Sequence, residues 1–361
     1  MKDNMDTKEL LKKYEPAKTS KVIPADPQIR FARFSPCGKV LAAGGFDGRV
    51  RRWNVAEAEA VEMATLEGHH AWVEAVAFRA EGELMLTSDS WGQLCCWSGY
   101  SSEKTTVKWK HEQAHDGWLR DLAVSPDGKL VASCGSDRIV RIWAVEDGAK
   151  KHELAGYGQD ILRVCWAPDG TLLTGDDRGI VKHWKLDGSL IRQFDASPLY
   201  TLSRLQDCGG VHALAIDSEG KTIAAGGLVP KNGGTVIGVP TVITFDVATG
   251  EQKHKLELGA TNDAFVADIK MHDEDFLSVV TYGTPGAGQL LYVRPSEKTP
   301  FFTKKLSNAH SLSWHPDGKR LAVVTTNPGS NGNGRPVDKD GNYKSNSSPI
   351  HVFSVPADAM A

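Results

Sequence analysis

The chain has 361 residues, 40% of them hydrophobic, and a formal net charge of −3 from 42 Lys+Arg against 45 Asp+Glu. That balance gives no global attraction to nucleic acid or an anionic membrane, and the length is ample for a large buried core. The charged start, Met1 to Pro16, lacks the apolar stretch of a secretory signal, and no run reaches the ~18 apolar residues of a membrane-spanning helix. Six cysteines, Cys37, Cys95, Cys96, Cys134, Cys165 and Cys208, include no Cys-x-x-Cys pair. They signal neither a zinc site nor a thioredoxin-like site, and they fit a reducing, cytoplasmic setting.

The first predicted element is a short strand at residues 19–23, and a repeat follows it. Phe34-Ser-Pro-Cys-Gly38, Phe78-Arg-Ala-Glu-Gly82, Val124-Ser-Pro-Asp-Gly128, Trp166-Ala-Pro-Asp-Gly170, Ile216-Asp-Ser-Glu-Gly220, Met271-His-Asp-Glu-Asp275 and Trp314-His-Pro-Asp-Gly318 each set a turn-forming group after an apolar strand end. The copies lie about 40–55 residues apart, as four-stranded blades require. A second apolar strand begins near Val40, Leu84, Leu130, Thr171, Thr222, Phe276 and Leu321. A third ends in an aromatic residue: Trp53, Trp97, Trp143, Trp184, Phe245 and Phe353, with Tyr292 or Val293 in the sixth copy. Near-continuous apolar runs mean sheets covered on both faces, so the copies must stack.

The expectation is an all-β chain: residues 1–16 as an N-terminal arm, then a single seven-bladed β-propeller of four-stranded antiparallel blades over residues 17–361. The seventh copy stops at its third strand, Ile350-His-Val-Phe-Ser-Val355. Residues 19–23 stand where a fourth strand precedes the next first strand, so the N-terminal strand is expected to complete the last blade and remove an open edge.

Ala114-His115, Trp118-Leu119, Ser133-Cys-Gly-Ser-Asp137 and Val140-Arg-Ile-Trp143 together resemble a complete WD repeat. The resemblance extends over residues 17–356 and is strongest between 29 and 185; the Ser-Pro-Asp-Gly turns are similar to those of divergent propellers common in bacteria. It implies a hydrogen-bonded relay of His115, Ser133, Asp137 and Trp143. The second copy has His69, Thr87 and Trp97, with Trp91 where the turn Asp belongs. The fourth has Thr174 and Trp184, with Tyr157 in the His slot and Arg178 in the Asp slot. The first keeps Asp47 and Trp53.

Three consecutive copies carry long segments between strands two and three, at residues 228–240, 281–288 and 326–349. In the WD family these loops share a face with the start of strand one. They either build a wall on that face or reflect drifted loop length, which surfaces tolerate. Aligning the copies on their turns places Arg30, Glu74, Arg120, Arg163, His212, Ala267 and His310 at the entrance of strand one, beside the central channel. Guanidinium groups suit bidentate recognition of carboxylate or phosphate. Two readings stay open: capture of an acidic peptide or other anion, or internal neutralisation by Glu74, Asp121 and Asp160.

No histidines have the helical spacing of a zinc protease, and Asp338-Lys-Asp-Gly-Asn-Tyr343 starts like a calcium loop but lacks its placed Gly and terminal Glu. No Gly-x-Ser-x-Gly elbow occurs. No metal, cofactor or catalytic residue is therefore expected. The functional expectation is a protein–protein interaction scaffold, a single ring within a larger complex, holding a protein or acidic peptide on the mouth face. The alternatives are an anion or nucleic-acid binder using Arg30, Arg120 and Arg163, and a propeller hydrolase or lactonase, which would need carboxylates or histidines converging on the channel.

Overall fold

Each of the seven turn motifs joins the first two strands of an antiparallel sheet. In the third blade Leu119–Val124, Leu130–Gly135, Val140–Ala144 and Lys150–Leu154 pair in chain order. Blades two, four, five and six repeat that order; the computed structural model describes residues 5–57, 59–203, 205–231, 238–261, 265–326 and 346–356. Gly recurs in the turns because the closing residue is left-handed, φ +72 at Gly38 and +71 at Gly128. The sixth copy puts Asp275 there at φ 57, a conformation that Asp tolerates better than most residues.

Two blades depart from the pattern. Blade one splits its fourth strand into Val61–Glu62 and Leu66–Glu67, both paired with Arg49–Asn54. Blade seven takes its fourth strand from the other end of the chain: Lys21–Ile23 runs antiparallel to Ile350–Ser354, with Val22 opposite His351. The ring is thus closed by the N-terminal strand, as the sequence implies. The register also resolves the sixth copy. Leu277 opposes Val293 as Leu41 opposes Trp53 and Leu321 opposes Phe353, so Val293 holds the aromatic position.

The core lies between blades. Trp97, Met85 and Val50 meet across blades one and two, and Trp143, Leu86 and Cys96 across blades two and three. Strand side chains alternate between faces. Cys95 therefore faces blade one and Cys96 faces blade three, both fully buried.

Three segments differ from a plain strand–loop reading. Residues 5–16 include a helix, α1 (Thr7–Tyr14), started by a capping box in which Glu9 N–H donates to Asp6 at 2.8 Å and Asp6 N–H donates to Glu9 at 3.0 Å. Its Leu10 and Tyr14, four apart and so on one face, are buried between blades six and seven. In blade five, strands two and three extend as Thr222–Pro230 and Gly238–Asp246, with Pro230 opposite Gly238. Residues 228–230 and 238–240, expected as loop, are therefore ladder. Residues 232–237 and 327–345, including Asp338 to Tyr343, lie outside the described residues. Among the described residues, no helix is long and apolar enough to cross a membrane.

Candidate protein-binding face

The relays fix the turns of the face on which strand one begins. In blade three His115 Nε2 lies 2.7 Å from Ser133 Oγ, which also accepts from Trp143 Nε1 at 2.9 Å. His115 Nδ1 lies 2.9 Å from Asp137, which also pairs with Arg141 at 2.5 Å. Burial lowers the His115 pKa against the pull of Asp137. Burial would raise Asp137, but His115 and Arg141 overcome it and hold the carboxyl well below its usual range. Asp137 accepts from Asp116 N–H, and Ser136 Oγ accepts from Trp118 N–H at 2.9 Å. The network thereby sets the backbone that carries Trp118.

Blade two builds the same network with a carboxylate that sequence alignment missed. His69 Nε2 lies 2.6 Å from Thr87 Oγ1, which accepts from Trp97 Nε1 at 2.7 Å. The acid is Asp89, 3.3 Å from His69 Nδ1, and it also accepts from the N–H groups of His70, Trp91 and Gln93. Trp91 is consequently spared for the surface, where it is 67% exposed. In blade four Trp184 and Thr174 bond at 3.2 Å and Thr174 donates to Tyr157 at 3.2 Å. Arg178 turns away, pairing with Asp207 at 3.1 Å and lying over the Tyr200 ring. In blade one Asp47 pairs with Arg51 at 2.7 Å and Trp53 is buried in the blade interface.

Held by these turns, aromatic rings form an arc across blades one to three. Phe46 meets Trp72 edge-on at 5.1 Å, and Trp72 meets Trp118 at 6.0 Å. The Arg120 guanidinium caps the arc, 3.8 Å over the Trp118 ring. Trp72 is 44% exposed. Exposed aromatic surface of this kind, beside an arginine, is the composition of interface hot spots. The sequence carried one signal for it: Trp72 and Trp118 both stand two residues before a mouth position, Glu74 and Arg120.

The mouth itself is a cavity of about 660 Å³ lined by Arg30, Glu74, Arg163, His212, Ala267 and His310 among others. Six of the seven first strands, all but that of blade five, carry a β-bulge, and the bulged residues are Arg30, Glu74, Arg120, Leu162, Ala267 and His310. Bulges re-aim side chains: Arg30, Glu74, Ala267 and His310 line the cavity, whereas Arg120 and Leu162 are not among its lining residues. Arg163, aligned with Arg30 and Arg120 from the sequence, is one residue further on. Leu162 holds the equivalent position, and Arg163 matches Asp121.

Most of the mouth charge is internally engaged. Arg30 pairs with the buried Glu74 of the next blade at 2.9 Å. Arg163 Nε donates to the His212 carbonyl at 2.6 Å. Asp121 accepts from Val164 N–H at 3.1 Å, and burial raises its pKa against the Arg163 charge. Arg33, which the alignment did not single out, pairs with Asp268 at 2.8 Å and donates to Leu312 carbonyl at 3.0 Å. Burial, reinforced by the Arg163 charge, lowers His212 to about 4. His310, with the Asn308 and Ile29 carbonyls at its two ring nitrogens, is likewise lowered by burial.

Arg120 differs. Its Nε is buried with no hydrogen-bond partner among the described residues. Burial lowers its pKa, Glu74 resists, and Arg30 and Arg163 reinforce the fall, so an added anion would be welcome there. Among the described residues, no group of three or more His, Cys, Asp or Glu side chains could hold a metal ion.

Seven antiparallel blades, with His–Ser/Thr–Trp relays in blades two and three, define a propeller of the WD type. Residues 19–54, 61–98, 107–144 and 148–185 match the family model described as WD domain, G-beta repeat, so the chain carries WD repeats within a seven-bladed propeller. It is similar to apoptotic protease-activating factor 1 of Rattus norvegicus, 28% identical over 170 residues, 45% of this chain and 13% of that protein. It is also similar to small ribosomal subunit protein RACK1y of Oryza sativa subsp. japonica, 28% identical over 169 residues, 44% of this chain and 46% of that protein. The match thus spans less than half the length of either relative.

Proposed function

We propose that this propeller is a protein-binding platform whose partner sits on the mouth face, across Phe46, Trp72, Trp118 and Arg120. The carrying observation is the aromatic arc, with Trp72 exposed and Phe46 and Trp118 half-buried, capped by an arginine that pairs with no carboxylate among the described residues. Arg120 favours an acidic segment of that partner, a carboxylate joining the guanidinium while an apolar side chain covers Trp72. By name the relatives are a protease-activating factor and a ribosomal subunit protein, roles that accord with a ring working inside a larger assembly. Six free cysteines accord with a reducing, cytoplasmic setting.

The reading as an anion or nucleic-acid binder loses two of its three arginines, because Arg30 is held by Glu74 and Arg163 by a carbonyl. The channel carboxylates are structural as well: Glu74 serves Arg30, Asp121 and Asp268 serve backbone N–H groups of Val164 and Leu312. That arrangement favours binding over hydrolysis.

The test uses the purified protein as bait in a lysate of its source, beside a Trp72→Ala/Trp118→Ala/Arg120→Glu variant and an outer-strand control, Leu190→Asp. Hot-spot side chains of this kind each carry about 2 kcal/mol or more, so the mouth-face variant should lose its partner and the control should keep it. Equal retention by all three proteins would remove the mouth face from the proposal.

A further inference from the structure

A second cleft opens on the opposite face, at the seam between blades seven and one, with a volume of about 950 Å³. Its floor is apolar, with Phe34, Trp53 and Val55 in the interface cluster. The fourth strands that flank it are short: Lys21–Ile23 has three residues and Val61–Glu62 two. They leave the wedge open, and each presents an exposed valine, Val22 at 53% and Val61 at 62%. The rim sets Glu57, Glu59 and Glu62 against Lys21, which pairs with Glu59 at 3.0 Å, and Arg320, which lies over the Phe34 ring, so Glu57 and Glu62 are the carboxylates left for an incoming cation.

The wedge one blade back shows what such a cleft accepts. Trp314 and Phe353 there hold the register positions of Phe34 and Trp53. Val355 N–H donates to the Lys319 carbonyl at 2.8 Å, as Val55 N–H donates to Lys39 at 2.8 Å. That wedge is filled by α1. Tyr14 lies against Phe276 at 4.8 Å and Trp314 at 5.9 Å, Leu10 is buried beside it, and Lys13 pairs with Glu274 at the rim.

We infer that the seam cleft docks a short amphipathic helix of a partner protein. The helix inserts an aliphatic–aromatic pair, four residues apart, onto Phe34, Trp53 and Val55, and sets a lysine or arginine beside Glu57 and Glu62. This site is on the face away from the mouth and stands independently of the platform proposed there.

The probe is a fluorescein-labelled peptide of residues 5–16 of this chain, which carries Leu10, Lys13 and Tyr14 in that spacing. Its anisotropy is followed against the full chain and against Glu57→Lys/Glu62→Lys and Glu274→Lys variants, each checked for folding by circular dichroism. Binding should be saturable, should weaken about tenfold or more when the seam rim is reversed, and should be unchanged in Glu274→Lys. Absence of saturable binding would overturn the inference. So would binding indifferent to the seam rim, or binding lost in Glu274→Lys, since the peptide would then be replacing α1 in its own wedge.

Discussion

The guanidinium of Arg120 stacks on Trp118 with its central carbon 3.8 Å from the ring centroid. Only Leu119 separates the two in sequence, and the β-bulge at Arg120 turns it back over the indole. A planar guanidinium stacks on an aromatic ring while presenting its N–H edge, whereas lysine is a point charge on a flexible stem. Arg120→Lys should therefore weaken partner binding by about tenfold or more while changing stability by less than about 0.5 kcal/mol. Titration calorimetry and thermal melts of the same two proteins check both halves.

Asp89 supplies the relay carboxylate of blade two, though it ends strand two and Trp91 occupies the expected slot. Asp89→Ala leaves His69 and the N–H groups of His70, Trp91 and Gln93 without their acceptor, and should cost about 2 kcal/mol or more. Trp91→Ala, at an exposed ring, should stay within about 0.5 kcal/mol. Urea denaturation of both variants decides between them; a larger loss at Trp91 would contradict the assignment.

Closure rests on three residue pairs, Lys21 with Val352, Val22 with His351 and Ile23 with Ile350, and on the docking of α1. Deleting residues 1–24 exposes the edge of blade seven and the apolar wedge that Leu10 and Tyr14 cover. The truncated chain should melt at a markedly lower temperature and less cooperatively. Calorimetric melting unchanged by the deletion would refute closure by this strand.

Buried histidines make the ring acid-sensitive. Burial lowers His272 to about 3 and His212 to about 4. Their folded values lie below the unfolded value near 6.5, so the unfolded chain binds more protons over that interval. Their stabilising effect is complete above pH ~6.5 and is lost as pH falls toward 4 for His212 and 3 for His272. Each contributes a slope of at most ~1.4 kcal/mol per pH unit. The melting temperature should be flat above neutrality and fall below pH ~6.5, and His272→Gln should flatten that fall. An unchanged profile in the variant would contradict the assignment.

The fold was legible because each blade repeats one local solution: an apolar strand end, a Pro-Asp-Gly type turn and an aromatic strand end. The N-terminal strand was legible by subtraction, since the seventh copy lacked a fourth strand. The site was read less fully. Arg163 was misplaced by one residue: the other mouth positions lie four residues before the apolar residue that opens the turn, and four before Trp166 is Leu162, which the pairing register bears out. Asp89 was missed because a hydrogen-bonding role can be filled from a neighbouring slot. The arc of Phe46, Trp72 and Trp118 draws on a turn in one repeat and strand entrances in two others, and only the closed ring brings those positions together. Helix α1 had its signal in Asp6-x-x-Glu9 and in the four-residue spacing of Leu10 and Tyr14.

The most direct measurement is hydrogen exchange of the chain with and without the partner it retains. A partner seated on the mouth face should slow exchange at its turns, residues 45–48, 70–74, 89–93 and 116–120. Protection confined to the outer strands, with those turns exchanging as in the free chain, would contradict that placement.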